Sequence, residues 1–172
     1  MAKDFCDPYC LRALYFSLVR SILDTASVVW SPNLHIWKSR IEAVQRRFIR
    51  FALRQLPWSN PANLPPYEDR CKLINIDTSS KRRNASRAMF VAKLLVWKND
   101  APELLSMLNL NVGSRPLRSR DFLRPVFHRT QYGKHEPVQA MCCILNSVYH
   151  LFDFSASLEQ FKNKILRSDV LD

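Results

Sequence analysis

The chain has 172 residues, 47% of them apolar, with two glycines, ten prolines and a formal net charge of +11. That length and apolar content exclude a disordered tail and allow one domain or two small helical lobes. Scarce glycine beside abundant proline argues for helices started and stopped by proline and against a glycine-turned β-sandwich, and the charge directs attention to polyanions.

From the amino terminus, DPYCLRALYFSLVRSILDTASVVW reads as a helix, with Asp7 placed to cap it and Pro8 at a favourable first position. Leu11, Leu14, Tyr15, Leu18, Val19, Ile22, Ala26 and Val29 follow three-and-four spacing and predict its buried face, with Ser17, Arg20, Ser21 and Asp24 opposite. This stretch is long enough to span a bilayer, but Arg12, Arg20 and Asp24 interrupt it, so no membrane partner is expected.

Ser31–Pro32 repeats the start signal and predicts a second helix to about Arg54. Leu34, Trp37, Ile41, Val44, Phe48 and Phe51 form an apolar seam along it. At 100° per residue, Arg40, Arg47, Arg50 and Arg54 share an arc of roughly 80° well away from that seam.

The proline-rich stretch LPWSNPANLPPYEDRCKL predicts a loop leading into a short helix from about Pro66 to Ile74. DTSSKRRNASRAMFVAKLLVWKND predicts the next long helix, capped by Thr78 or Ser79, with a second half apolar nearly all round and therefore central. A short helix near Ala101–Leu108 follows. Residues 110–135 lack a helical period and predict a short β-ribbon or an extended arm. Pro137 restarts a helix with Val138, Met141, Cys142, Leu145, Val148, Tyr149 and Phe152 on one face, and SLEQFKNKIL closes the chain with capping-box spacing at Ser157 and Gln160. The expected fold is mainly α: about six helices in a bundle, with an irregular or ribbon segment around residues 115–130. A thumb-like helical pair is expected over 1–58 and a second helical region over 59–172.

The charge is not spread evenly. The windows Lys38–Arg54, Lys81–Lys98 and Arg115–Lys134 contain eighteen of the 26 Lys/Arg and two of the 15 Asp/Glu. They sum to +16 and the remainder to −5, so three basic segments sit on a mildly acidic scaffold. Phosphate contact and a merely solvated helix face compete as explanations. Solvated faces normally mix signs because like charges at i,i+3 or i,i+4 repel, and Arg47, Arg50 and Arg54 have no such relief. Lys81, Arg82 and Arg83 fall in the first turn of a predicted helix, where the macrodipole disfavours cations. They predict either a phosphate seat or a helix that begins later. Arg118, Arg120, Arg124 and Arg129 make a third basic group, and Trp58 and Tyr132, in irregular segments, are candidates for base stacking.

Nothing in the sequence nominates catalysis. The five cysteines, Cys6, Cys10, Cys71, Cys142 and Cys143, are odd in number with no signal peptide, so they read as reduced thiols of an intracellular protein, and with no CxxC pair they do not read as metal ligands. Glu68 and Asp69 are adjacent and would diverge by about 100° on a helix. His128 and His135 lie in a basic region that suits phosphate contact equally well. Two isolated glycines leave no phosphate loop, and no cofactor is expected.

The segments LYFSLVRSILDTASVVWSP, RIEAVQRRFIRFALRQLPW, LPPYEDRCKLINID, RPLRSRDFLRPVFHRTQYG and NSVYHLFDFSAS, in that order, resemble the region that follows the polymerase palm in non-LTR retrotransposon reverse transcriptases, especially jockey-like elements. The resemblance covers nearly the whole chain. It implies a helical thumb, or its continuation, over the first two helices and the carboxy-terminal region thereafter. The family's palm aspartates and amino-terminal endonuclease have no counterpart here, so no catalytic residue carries over. The resemblance therefore implies a non-catalytic piece in the nucleus and cytoplasm that grips RNA or RNA–DNA duplex, with the palm of its parent element as a further partner. The competing expectation is a helical scaffold that docks on an acidic protein surface without touching nucleic acid.

Overall fold

Asp7 accepts a hydrogen bond from the Tyr9 N–H at 3.1 Å and starts α1, Pro8–Leu14. The structure, a computed structural model, describes residues 7–55, 64–96, 98–111, 121–168 and 170. Helix runs on without interruption through a π-helical segment, Tyr15–Arg20, into α2, Ser21–Asp24. Further along lie α3, Ser27–Trp30; α4, His35–Arg54; α5, Tyr67–Ile74; α6, Ser79–Leu95; α7, Pro102–Ser106; α8, Gln131–Lys134; α9, Pro137–Val148; and α10, Leu158–Arg167. Among the described residues the only β-pairing is an antiparallel bridge between Leu110 and Leu123, so the fold is mainly α.

Two compact units divide the chain: Met1–Ser27 with Pro32–Arg82, and Val28–Ser31 with Arg83–Asp172. The boundary between these units falls inside α6. The physical reason lies in α5, which packs against α4 through a small core of Ile49, Leu53 and Cys71. Phe48, Leu64, Tyr67 and Ile74 surround that core. α5 ends on Asn75 in the left-handed region, a conformation asparagine tolerates at a helix end.

The first helix does not bury the face that its spacing predicts. Leu11 and Tyr15 are buried, but Leu14, Leu18 and Ile22 are exposed. For Leu18 and Ile22 the π-helical turn is the cause; Leu14 precedes it. The turn inserts one residue into the helical period and moves the later inward positions on by about 100°. After the turn, Val19, Arg20, Leu23 and Asp24 are half-buried instead.

The seam expected along α4 is displaced in the same sense. Leu34, Trp37 and Val44 are exposed, while Glu42, Gln45, Ile49, Ala52 and Leu53 are buried. That inward face is rotated by about 100° from the expected one. Its amino-terminal half is polar because it serves a hydrogen-bond network, described below.

The second unit follows its sequence pattern more closely. Ala85, Ala88, Val91, Ala92 and Leu94 of α6 are buried with Met141, Cys142, Leu145 and Val148 of α9 and with Phe161 and Ile165 of α10. Ser157 caps α10 by accepting from the Gln160 N–H at 3.3 Å. The segment after residue 120 lies extended. The Asn111 N–H donates to Phe122 O at 3.0 Å and the Arg124 N–H to Asn109 O at 2.8 Å. Two side-chain amides of α9 complete its pairing. Asn146 donates to Leu123 O at 2.8 Å and accepts from the Leu123 N–H at 2.9 Å, and Gln139 accepts from the Val126 N–H at 3.0 Å. The expected ribbon is therefore a single bridge held to a helix by amide side chains. Among the described residues, no helix is long and apolar enough to cross a membrane.

Candidate nucleic-acid interface

α4 carries six cations in twenty residues and one acid, Glu42. Glu42 points inward, which leaves the outward arc purely cationic. Arg40, Arg47, Arg50 and Arg54 are all exposed, and the centre of their arc lies about 150° from the centre of the buried face. The 100° rotation of the inward face therefore did not bring them in. Arg40 leans over the Trp37 ring at 4.7 Å. Among the described residues, Arg47, Arg50 and Arg54 have no ion-pair partner. From Arg40 to Arg54 the row is about 21 Å long at the α-helical rise. Two cations outside the predicted row, Lys38 and Arg46, are also exposed. Arg46 is turned aside over the Tyr67 ring at 4.9 Å.

The cations at the start of α6 have the opposite fate. Lys81, Arg82 and Arg83 expose only 8%, 5% and 2% of their surface, which corrects the expectation of a phosphate seat there. The helix does begin at Ser79, with Thr78 Oγ1 accepting from the Lys81 N–H at 3.2 Å, so an unfavourable cation–dipole arrangement is present and has to be offset. Within the first unit two carboxylates do so. Glu42 accepts from the Ser79 N–H at 3.0 Å, placing negative charge on the helix start. Asp24 receives the Arg82 guanidinium through Nε at 3.1 Å and Nη2 at 3.3 Å, together with Arg20 Nε at 3.0 Å.

Arg82 is satisfied on its remaining side. Its Nη1 donates to Gln45 Oε1 at 2.8 Å and to Asp77 O at 2.6 Å. Gln45 also accepts from the Tyr15 hydroxyl at 3.1 Å and donates to Asp77 O at 2.8 Å. Tyr67 donates its hydroxyl to Glu42 Oε1. Burial, and then that hydrogen bond, push the Tyr67 phenol well above its ordinary range, so it remains a donor. Burial likewise raises Tyr15. A guanidinium with this many partners holds an interior together and offers no face to a phosphate. In the second unit Arg87 is buried as well, with Nη2 donating to Ser31 O at 3.0 Å. Burial lowers its pKa, and so does the neighbouring Arg83 charge.

Of the third basic group, Arg124 and Arg129 are exposed, and Arg118 and Arg120 lie outside the described residues. Trp58 lies outside them too. Tyr132 is 92% exposed, and Phe127, an aromatic among basic residues in the sequence but not one of its stacking candidates, is 88% exposed. The pattern FHRTQYGK, two aromatic residues interleaved with cations ahead of a glycine, is the signal that could have found it. Cys71 and Cys142 are buried, and burial holds the Cys142 thiol up at about 11, which disfavours a thiolate. Among the described residues, no three His, Cys, Asp or Glu side chains come together to hold a metal ion.

The arrangement thus brings one predicted group, the α4 arginines, to an open row. It withdraws the second and leaves Arg124 and Arg129 of the third at the surface, beside two open rings. Comparisons of this chain with protein-family models, with curated proteins and with solved structures give no match.

Proposed function

We propose that this chain is a non-catalytic helical module that binds RNA or RNA–DNA duplex through the outward face of α4, as the carboxy-terminal, post-palm region of a jockey-like non-LTR retrotransposon reverse transcriptase. The observation that carries the reading is the row Arg40, Arg47, Arg50 and Arg54: exposed, on one side of one helix, and without a carboxylate partner among the described residues. Uncompensated like charges at i,i+3 and i,i+4 destabilise a helix by a few tenths of a kcal/mol per pair, and a polyanion relieves that repulsion. A row about 21 Å long, laid along an A-like duplex, passes about seven base pairs of axial rise, enough for several phosphate contacts with no reading of base sequence. The five ordered sequence motifs support the assignment to the retrotransposon family.

The experiment is a titration of the full chain against RNA and RNA–DNA duplexes of unrelated sequence, with Arg47→Glu/Arg50→Glu as the variant. Affinity should fall on every sequence alike. Affinity unchanged by the double reversal would refute the assignment.

A second reading, a helical scaffold that docks on a protein, is favoured by the exposed ridge Leu14, Leu18 and Ile22, which repeats every four residues. Under that reading the chain binds no nucleic acid even at low salt.

A further inference from the structure

We propose that Phe127 and Tyr132 form a stacking platform for the bases of unpaired RNA or DNA, separate from the phosphate-contacting row of α4. The proposal rests on the nucleic-acid reading above and adds to it a second site with a different ligand, the single strand.

Single exposed apolar residues are ordinary, so exposure by itself decides nothing. Three further observations matter. The backbone that carries the two rings is fixed on either side. Asn146 clamps Leu123, Gln139 holds the Val126 N–H, and the Thr130 hydroxyl accepts from the Gly133 N–H at 3.2 Å. The turn is also closed on itself. His128 packs so tightly against Gly133 that a Cβ there would lie 2.7 Å from the imidazole Nδ1. Phe127 and Tyr132 each immediately precede one partner of that contact, so one fixed turn presents both rings. Lastly, five other aromatic residues of this unit pack on one another: Phe122 stacks on Tyr149 at 4.2 Å, and Phe152 meets Phe154 and Phe161 edge-on. Phe127 and Tyr132 have no such ring partner among the described residues.

The charge around the rings selects the ligand. Arg124, Arg129 and Lys134 are exposed and alternate with the two aromatics along the chain. The nearby Glu136 carboxylate lies 3.9 Å from His128 Nε2. Rings interleaved with cations suit a polymer of flat bases on a phosphate backbone. Stacking needs an open base face, which a duplex hides and a single strand offers. Because the turn is fixed beforehand, little ordering has to accompany binding.

The test is fluorescence anisotropy on the full chain with a short oligouridylate and with an RNA duplex of equal length, comparing wild type, Phe127→Ala/Tyr132→Ala and Phe127→Trp. The double alanine variant should lose about tenfold or more in affinity for the single strand while its duplex affinity stays within about twofold. Phe127→Trp should retain single-strand affinity. Both side chains are open to solvent, so circular dichroism should show an unchanged fold; if the double variant misfolds, Phe127→Ala alone should still lose single-strand affinity, and no loss there would overturn the platform. Single-strand affinity unaffected by the double variant, or equal losses on both nucleic acids, would overturn the platform while leaving the α4 row intact. Wild-type chain that binds neither nucleic acid would end both this proposal and the reading beneath it.

Discussion

Two clusters of arginine, one along α4 and one in the first turn of α6, look alike as sequence and differ entirely as structure. Each is a short run of cations nearly free of acids. Along α4 the cations point outward and Glu42, the helix's single acid, points inward. At the start of α6 the cations are buried, and Glu42 and Asp24 attend the helix start and Arg82. The same Glu42 therefore explains both fates: by turning inward it leaves the α4 row uncompensated and helps stabilise the α6 terminus. A run of like charge marks a polyanion site only if its acids are not supplied from elsewhere in the fold.

This contrast can be broken from the α6 side first. Arg82→Ala should cost about 3 kcal/mol in urea denaturation, because it empties a buried position, leaves Asp24 with Arg20 alone and takes one of two donors from Gln45 Oε1. Glu42→Ala should cost less, about 1–3 kcal/mol, by leaving the Ser79 N–H and the Tyr67 hydroxyl without their acceptor, and a thermal melt will read it. Tyr67 sharpens the comparison through pH. Its phenol is raised in the folded state, so the unfolded chain releases that proton first, near pH 10. The stability it contributes is complete below about pH 10 and declines as pH rises above it. Tyr67→Phe should flatten that alkaline decline in urea midpoints taken at pH 8 and above pH 10. Smallest of all, Arg47→Ala should change stability by no more than about 0.5 kcal/mol, since the residue is exposed and unpaired among the described residues.

What the sequence disclosed follows from how local each cause is. The cap at Thr78, the start at Pro137, the buried face of α9 and the Ser157 cap depend on residues within a turn or two, and all appear as spacing predicts. Beyond Leu14 the buried face of the first helix was lost to one extra residue in a π-helical turn, which no spacing rule anticipates. The inward face of α4 lies away from the apolar seam because two polar residues, Glu42 and Gln45, occupy it. Their partners, Ser79 and Arg82, lie 37 positions away, and long-range pairing of this kind leaves no periodic trace. The α4 arginine row was legible nonetheless, because an arc that far from the interior stays outside after a 100° turn. Phe127 stands among basic residues in the sequence, but its exposure depends on clamps from Asn146 and Gln139, which only the fold brings near.

The most direct test of the central claim is the slope of log affinity for an RNA–DNA duplex against log salt concentration, for wild type and for Arg47→Gln/Arg50→Gln/Arg54→Gln. If these guanidinium groups contact phosphates, the slope should become shallower by nearly one (about 0.7–0.9) per arginine removed. An identical slope in the two proteins, whatever the change in affinity, would contradict the account.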